Sequence, residues 1–250
     1  MKVIILAAGV GSRLGELTKE LPKPLVNVNG KSILERQISL FKKNGIDDII
    51  IVTGHQKEKF PFKDVSYVNG KNLFEHDILH SLMLARAKML DDVVISYGDI
   101  IFDEKIIEAV LKFKGNVGLA VDLDWEESYK RKPKRLVDKV SNVIIENDAI
   151  VRIGYRKNIG NTNQKLVGEF IGLMKLSKNA ANVFIETYSQ LEKSHGGKFH
   201  DSPSLRHGII TDMLQELIEK KHIINPIVVK GKWCEIDTPD DLKRAKKLFN

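Results

Sequence analysis

The chain has 250 residues and an ordinary apolar content of 42%, which fits one large α/β domain or one domain with an insertion. Its net charge of +7 would attract small polyanions, but basic and acidic residues are interspersed, which argues against a nucleic-acid-binding surface. No apolar stretch reaches the roughly 18–20 residues of a membrane span, and the N-terminus has no signal-peptide pattern. Cys234 is the single cysteine. We therefore expect a cytoplasmic protein without membrane contact or internal disulfides.

The N-terminal segment joins a strand to a glycine turn. Residues 2–8 predict a buried strand, because they are apolar without alternation, and Gly9 and Gly11 follow at once. Two glycines let the backbone curl so that several N–H groups can point at one anion. Arg13 and Lys23 supply the positive charge that a phosphate needs. The segment therefore predicts a phosphate-binding loop, although its spacing fits neither a Walker loop nor a dinucleotide fingerprint.

Helices and strands alternate through the first half of the chain. In order, we predict a helix at 31–44, strands at 48–53 and 65–69, a helix at 78–90, a strand at 93–97, a helix at 103–114 and a strand at 116–122. Strands that alternate with helices predict a Rossmann-like α/β fold, in which a mostly parallel mixed sheet is covered by helices on both faces.

The pattern changes between about residues 123 and 176. Successive strands are predicted at 140–146, 149–155 and 167–175, which we interpret as a small antiparallel extension carrying a second-substrate pocket. Helices near 178–193 and 209–221, strands near 226–229 and 233–236, and a last helix after Thr238 complete a predicted single domain of residues 1–250.

Two segments together carry a family signature. Leu-Ala-Ala-Gly-x-Gly-Ser-Arg-Leu at 6–14 is followed by Pro-Lys-Pro-Leu at 22–25, and this pairing is more specific than two glycines. It resembles the signature of the sugar-phosphate nucleotidyltransferases, and further matching segments follow in the expected order. The resemblance implies a GT-A-like nucleotidyltransferase fold and the reaction of a nucleoside triphosphate with a phosphorylated acceptor, which releases pyrophosphate. The alternative is a strand, turn and helix whose glycines serve packing alone.

Two aspartates are the candidate metal ligands. Asp99 ends the buried strand segment 93–99, at the edge where ligands collect in open α/β sheets, and Asp237 lies just before the last helix. Nucleotidyl transfer brings two anions together, so the site must supply positive charge. The resemblance implies that both carboxylates hold Mg²⁺, which prefers such oxygen ligands. A helix cap is the alternative role for each, although Thr238 already fills it beside Asp237.

The resemblance also implies the nucleotide contacts. Arg13 would contact the β- and γ-phosphates, and Lys23 would touch the α-phosphate and the incoming acceptor oxygen, unless it is a solvated loop lysine. With Asp99 and Asp237 they form the predicted catalytic set. The remaining predicted nucleotide-binding residues are Leu6, Ala7, Ala8, Gly9, Gly11 and Ser12.

Segments in the middle of the chain indicate one branch of this family. They resemble the branch that uses CTP and small phosphorylated alcohols or phosphonates, which includes phosphocholine and 2-aminoethylphosphonate cytidylyltransferases. The matching segments are 97–102, 121–125 with Tyr129, 168–173, and Ser81-Leu82 after Asn72. Asp77-Ile78 departs from the asparagine that this branch often has before Ser-Leu, so no contact is assigned there.

Four residues could bind a cationic acceptor, because carboxylates and aromatic faces attract such groups. They are Asp124, Trp125, Tyr129 and Glu169. Trp125 and Tyr129, one helical turn apart, could instead belong to the core. Lys157 could add a cation for the acceptor phosphate, or be ordinary surface charge.

The sequence thus predicts a Mg²⁺-dependent cytidylyltransferase that joins CMP from CTP to a small phosphorylated or phosphonylated acceptor, similar to phosphocholine or 2-aminoethylphosphonate. Two alternatives stay open. One is a hexose-1-phosphate nucleotidyltransferase that uses UTP, dTTP or GTP, and the other is a catalytically inactive nucleotide-binding regulatory module. The acceptor and the oligomeric state, a homodimer included, are also left open.

Overall fold

The structure is a computed structural model that describes residues 1–9, 11–54, 56–70, 77–130, 132–160 and 165–250. Val10, Asn72 and Arg131 therefore lie outside the described residues. The strands are β1 (Lys2–Ala7), β2 (Asn27–Val28), β3 (Lys31–Ser32), β4 (Ile49–Thr53), β5 (Ser66–Asn69), β6 (Val93–Tyr97), β7 (Ile100–Phe102), β8 (Val117–Asp122), β9 (Ser141–Glu146), β10 (Ala149–Tyr155), β11 (Leu166–Leu176), β12 (Asn225–Val228) and β13 (Trp233–Glu235). The helices are α1 (Ile33–Lys43), α2 (Ile78–Leu84), α3 (Glu104–Lys112), α4 (Glu126–Tyr129), α5 (Lys134–Val137), α6 (Lys178–Ser194), α7 (Ile210–Glu219) and α8 (Pro239–Leu248).

Nine of the described strands form one mixed sheet, as the sequence predicts. Its main path runs β10-β9-β11-β6-β1-β4-β5, and β8 and β12 continue from β11. β1 is parallel to both β4 and β6, whereas β11 is antiparallel to β6, β8 and β9. The antiparallel strands are thus joined to the parallel half through β11 and do not form a separate sheet.

Helices cover both faces of this sheet, which explains the unbroken apolar sequence of β1. Ile4 and Leu6 face a core that includes residues of α2, α6 and α7. Val3, Ile5 and Ala7 face the opposite core, which includes residues of α1 and α3. Because both faces are buried, the polar alternation of a half-exposed strand is absent. This confirms the predicted doubly covered sheet.

The connections differ from the prediction at several short elements. The helix predicted at 78–90 is α2, which ends at Leu84 and is followed by a 3-10 turn at Arg86–Lys88. The strand predicted near 233–236 is β13, but its partner β7 was not predicted, because a three-residue strand carries little periodicity. No helix in the described part of the chain is long and apolar enough to cross a membrane.

Candidate active site

Three carboxylates converge beside the carboxyl end of β6. Asp99 follows β6 directly, Glu235 ends β13, and Asp237 lies two residues further on. The backbone N–H of Ile236 donates to the carbonyl of Asp99 at 2.9 Å and holds the two segments together. One oxygen from each carboxylate lies within 4.8 Å of the others. Glu235 was not predicted as a site residue, although its position two residues before Asp237 is the spacing of one strand face.

The ammonium group of Lys23 lies between two of these carboxylates. Its Nζ donates to Asp99 Oδ2 at 2.6 Å and to Asp237 Oδ1 at 2.5 Å. Burial by itself lowers the pKa of Lys23, but the charges of Asp99, Asp237 and Glu235 outweigh it and raise the pKa above its ordinary value. Lys23 is only 6% exposed, so it is a charged residue of the site and not a solvated loop lysine.

Arg13 adds a second positive charge at the outer side of the cluster. Its Nη1 lies 2.8 Å from Asp237 Oδ2, and its side chain is 56% exposed. Two cations therefore face three carboxylates. Burial, followed by the negative charges of Asp237 and Asp99, raises the pKa of Glu235 to about 8, because the two cations only partly compensate.

The glycine loop lies against the same cluster. An added Cβ at Gly11, whose φ is +69°, would approach Cβ of Lys23 to 2.7 Å, so a side chain there would displace the lysine. An added Cβ at Gly98 would lie 2.6 Å from the carbonyl oxygen of Leu6. These close approaches bring the end of β1, Lys23 and Asp99 together. Leu6 and Ala7 are buried, Ala8 and Gly11 are half-buried, and Gly9 and Ser12 are exposed at the mouth of the loop.

The carboxylate cluster has the chemistry of a Mg²⁺ site. All its potential ligands are carboxylate oxygens, which this hard cation prefers. Asp99 Oδ1 is buried and has no hydrogen-bond partner among the described residues, so it keeps a free lone pair. The residues present therefore fit a divalent cation, with Asp99, Asp237 and Glu235 available to hold it.

A cavity of about 260 Å³ opens next to the cluster. Arg13, Glu235 and Asp237 line one part of it, and Tyr129 and Glu169 line another. Two of the candidate catalytic residues, Arg13 and Asp237, and two of the predicted acceptor residues therefore line the same cavity.

Buried Glu169 and half-buried Tyr129 form a hydrogen-bonded pair in the cavity wall. The hydroxyl of Tyr129 donates to Glu169 Oε1 at 2.7 Å. Burial raises the pKa of Glu169 to about 8; the bond from Tyr129 opposes the shift, while the charges of Glu235 and Asp122 add to it. Burial and the neighbouring Glu169 carboxylate likewise raise the pKa of Tyr129, which stays protonated.

The other predicted acceptor residues lie outside the residues that line this cavity. Asp124 is exposed, and its backbone N–H donates to Asp122 Oδ1 at 2.8 Å. Trp125 is buried and packs against Tyr129, with ring centroids 5.9 Å apart. Lys157 is exposed, with Nζ 5.9 Å from the ring centroid of Tyr155. An acceptor contact for these three residues stays a prediction.

Lys132 is a cavity residue that the sequence arguments did not single out. Its Nζ lies 2.8 Å from Asp241 Oδ1 and 4.8 Å from the ring centroid of Tyr129. Asp241 in turn accepts from the backbone N–H of Asp237 at 3.3 Å. Lys132 and Asp241 are 109 residues apart, so no local sequence signal could have indicated this link.

Comparisons with known proteins show which family the chain resembles. Residues 3–127 match the family model described as the MobA-like NTP transferase domain. The CTP:phosphoglutamine cytidylyltransferase of Campylobacter jejuni is 28% identical over 97% of this chain and 98% of its own length. The choline-phosphate cytidylyltransferase of Streptococcus pneumoniae is 39% identical over 41% of this chain and 46% of its own length.

The fold has a close match among solved structures. The CTP:phosphocholine cytidylyltransferase of Streptococcus pneumoniae superimposes with a TM-score of 0.74 at 21% identity, over 100% of this chain and 99% of the other. This likeness concerns the fold alone.

The family model covers half of the chain and confirms the resemblance that the glycine loop indicated. The chain belongs to the MobA-like NTP transferase family and is a nucleotidyltransferase.

Proposed function

We propose that this protein transfers CMP from CTP to a small phosphorylated or phosphonylated acceptor and releases pyrophosphate. The observation that carries the proposal is the position of Lys23 between Asp99 and Asp237, with Arg13 beside them at the mouth of one cavity. The choice of CTP is supported by the relatives named above. In this proposal residues 1–250 act as one unit, and the segment 123–176 supplies acceptor contacts.

The reaction requires charge compensation and alignment more than proton transfer. One oxygen of the acceptor phosphate forms a bond to the α-phosphorus of CTP, while the bond from that phosphorus to the oxygen bridging to the β-phosphate breaks. Pyrophosphate leaves with the electron pair of the broken bond. The attacking phosphate is already anionic near neutral pH, so no general base is needed. The site must instead hold two anions in line.

Lys23 and Arg13 supply that compensation from the protein. The buried ammonium of Lys23 is placed to exchange a carboxylate for the α-phosphate and to hold the acceptor oxygen beside it. The exposed guanidinium of Arg13 can bind two phosphate oxygens at once, which suits the β- and γ-phosphates and the leaving pyrophosphate. Backbone N–H groups of the glycine loop add further donors.

The three carboxylates are the candidate ligands for the metal cofactor. Asp99 and Asp237, with Glu235 next to them, would hold Mg²⁺, which when bound contributes positive charge to the phosphate oxygens. Asp99 and Asp237 also orient Lys23 in the absence of nucleotide.

The test is pyrophosphate release by the purified full-length protein with Mg²⁺, measured over a matrix of triphosphates and acceptors. We expect release with CTP and a small phosphorylated or phosphonylated amine, and at least a 100-fold loss in Asp99→Ala and Asp237→Ala. A thermal-shift series with CTP, UTP, dTTP, GTP and ATP checks nucleotide choice independently, because a ligand at 100 times its dissociation constant adds about 2.7 kcal/mol.

Three results would contradict the proposal. Release with UTP, dTTP or GTP and a hexose 1-phosphate, but not with CTP, would favour the sugar branch of the family. Stabilisation by a triphosphate without turnover of any acceptor would favour a regulatory module. Full activity in both aspartate variants would remove the metal assignment.

A further inference from the structure

One oxygen in the cavity wall lacks a hydrogen-bond donor. Glu169 is 4% exposed, and its Oε1 accepts from Tyr129, but its Oε2 is buried with no partner among the described residues. Buried carboxylate oxygens are normally satisfied, and leaving one without a donor costs free energy. Because Glu169 lines the cavity, a donor could come from a molecule bound there.

The backbone around Glu169 is fixed by the strands on both sides. Glu169 lies in β11, where it pairs with Asp122 of β8 on one side and Asn142 of β9 on the other. The side-chain amide of Asn142 donates to the carbonyl of the preceding Gly168 at 3.0 Å. The backbone is therefore held in place, and the bond from Tyr129 orients the carboxylate before any acceptor arrives, which lowers the entropic cost of recognition.

Tyr129 is equally well held. It ends the short helix α4, and the buried ring of Trp125 packs against its ring at 5.9 Å between centroids. Trp125 thus acts on the cavity through Tyr129. The hydroxyl hydrogen of Tyr129 is committed to Glu169 Oε1, so once Glu169 is ionised, as it is beside a bound cation, its unsatisfied oxygen Oε2 is an acceptor.

The charges around the pair favour a positive donor. Glu235, which lines the same cavity, and Asp122 add negative charge near Glu169. Of the described cations that line the cavity, Lys132 and Arg13 are engaged by Asp241 Oδ1 and Asp237 Oδ2, each at 2.8 Å, and Lys139 is exposed. A neutral hydroxyl donor would leave this excess uncompensated, whereas an ammonium group that carries N–H would both donate and neutralise.

Building on the proposed function, we infer that Glu169, positioned by Tyr129, selects acceptors whose ammonium group carries at least one N–H. A quaternary ammonium offers charge but no donor, so it leaves Glu169 Oε2 unsatisfied. An amine-free phosphate offers neither. The acceptor class is therefore a small phosphate or phosphonate with a primary or secondary amine.

A methylation series tests this inference, because it removes the N–H groups one at a time while the positive charge is kept. The probes are O-phosphoethanolamine, its N-methyl and N,N-dimethyl derivatives, and phosphocholine, with glycerol 3-phosphate as the amine-free member. We expect kcat/KM to fall by about 10- to 100-fold between phosphoethanolamine and phosphocholine, the loss expected for one charge-assisted hydrogen bond. Glu169→Gln should reduce this preference to less than threefold by raising KM for the amine, while KM for CTP stays unchanged.

Matched variants separate recognition from structure. Glu146→Gln, an exposed carboxylate at the end of β9 that pairs with Lys165, should leave the preference unchanged. Tyr129→Phe frees Glu169 Oε1 and should weaken the preference less than Glu169→Gln, and it serves as the test if the latter does not fold.

The outcomes distinguish this inference from the proposed function. Pyrophosphate release from CTP that is as fast with phosphocholine or glycerol 3-phosphate as with phosphoethanolamine leaves the function standing and overturns the inference. If CTP is not turned over with any acceptor, the proposed function fails. Calorimetric binding of phosphoethanolamine and phosphocholine to the wild type and to Glu169→Gln then decides the inference, and equal affinities overturn it.

Discussion

At the scale of single residues, Lys23 and Arg13 show how burial gives different roles to two cations that share a carboxylate partner. Both contact Asp237, but Lys23 is 6% exposed and bridges two carboxylates, whereas the side chain of Arg13 is 56% exposed. A buried counter-ion contributes to both stability and chemistry, while an exposed one contributes little to stability.

The substitution Lys23→Met tests this difference. Two partly buried carboxylates would lose their counter-ion, so we expect the metal-free protein to be less stable by about 2–3 kcal/mol, somewhat below the cost for a dry pair. Added Mg²⁺ should restore much of the lost Tm, because it supplies the missing positive charge, and should affect the wild type less. Turnover of Lys23→Met should stay at least 100-fold below that of the wild type, even when Mg²⁺ has restored the Tm.

Arg13→Ala is the matched control for that prediction. We expect its Tm to stay within about 1 °C of the wild type, since an exposed ion pair is worth roughly 0–1 kcal/mol, whereas KM for CTP rises about tenfold or more. A large loss of stability in Arg13→Ala, or none in Lys23→Met, measured by thermal denaturation without metal, would contradict the roles assigned to the two cations.

At the scale of elements, the start of α8 links helix capping to the carboxylate cluster. Thr238 is the N-cap, and its hydroxyl accepts from the backbone N–H of Asp241 at 3.2 Å. The carboxylate of Asp241 in turn accepts from the backbone N–H of Thr238 at 3.0 Å and also from the backbone N–H of Asp237. The capping box therefore positions the loop that carries Asp237.

The two residues of this capping box should differ in their effect on catalysis. Thr238→Ala should cost about 1 kcal/mol of stability, as for other N-cap residues, and reduce kcat only a few-fold. Asp241→Asn keeps most of the shape but weakens the bonds to Asp237 and Lys132, so we expect kcat to fall more than in Thr238→Ala. Denaturation and steady-state assays of both variants check this order, and a reversed order would show that capping alone matters.

At the scale of the whole molecule, a carboxyl group buried in the cavity wall makes the free energy of unfolding depend on pH. Burial raises the pKa of Glu169 to about 8, whereas the unfolded chain has its ordinary value near 4.5. The folded protein therefore binds this proton more tightly than the unfolded chain does. The stability that the proton contributes is present below pH 4.5 and is lost as the pH rises through about 8.

Glu169→Gln should accordingly flatten the pH dependence of stability. We expect the free energy of unfolding of the wild type, relative to this variant, to decrease from pH 5 to pH 9. Chemical denaturation at several pH values measures the difference, which cancels the other titrating groups common to both proteins. A difference that increases with pH would show that Glu169 is ionised in the folded protein at low pH and would remove its assigned pKa direction.

The alternation of strands and helices and the central part of the site could be predicted from local sequence. The unbroken apolar run of β1 follows from burial on both faces, and Gly11 and Lys23 follow from the needs of a phosphate loop. The strand near 233–236 was predicted, but the three residues of β7 show no period. The pairing of β7 with β13, which brings Glu235 to the cluster, could therefore not be predicted. Trp125 and Tyr129 share a helical turn, and only packing decided that Trp125 faces the core while Tyr129 lines the cavity.

The sequence by itself determined the class of fold, the glycine loop and the family, because these depend on periodicity, glycine spacing and caps, which act within a few residues. Tertiary structure alone decided that Lys23 lies between Asp99 and Asp237, which are 76 and 214 residues away along the chain. It likewise paired Tyr129 with Glu169 and left one carboxylate oxygen without a donor. Distances and burial of this kind arise when separate segments pack against one sheet, and no local pattern encodes them.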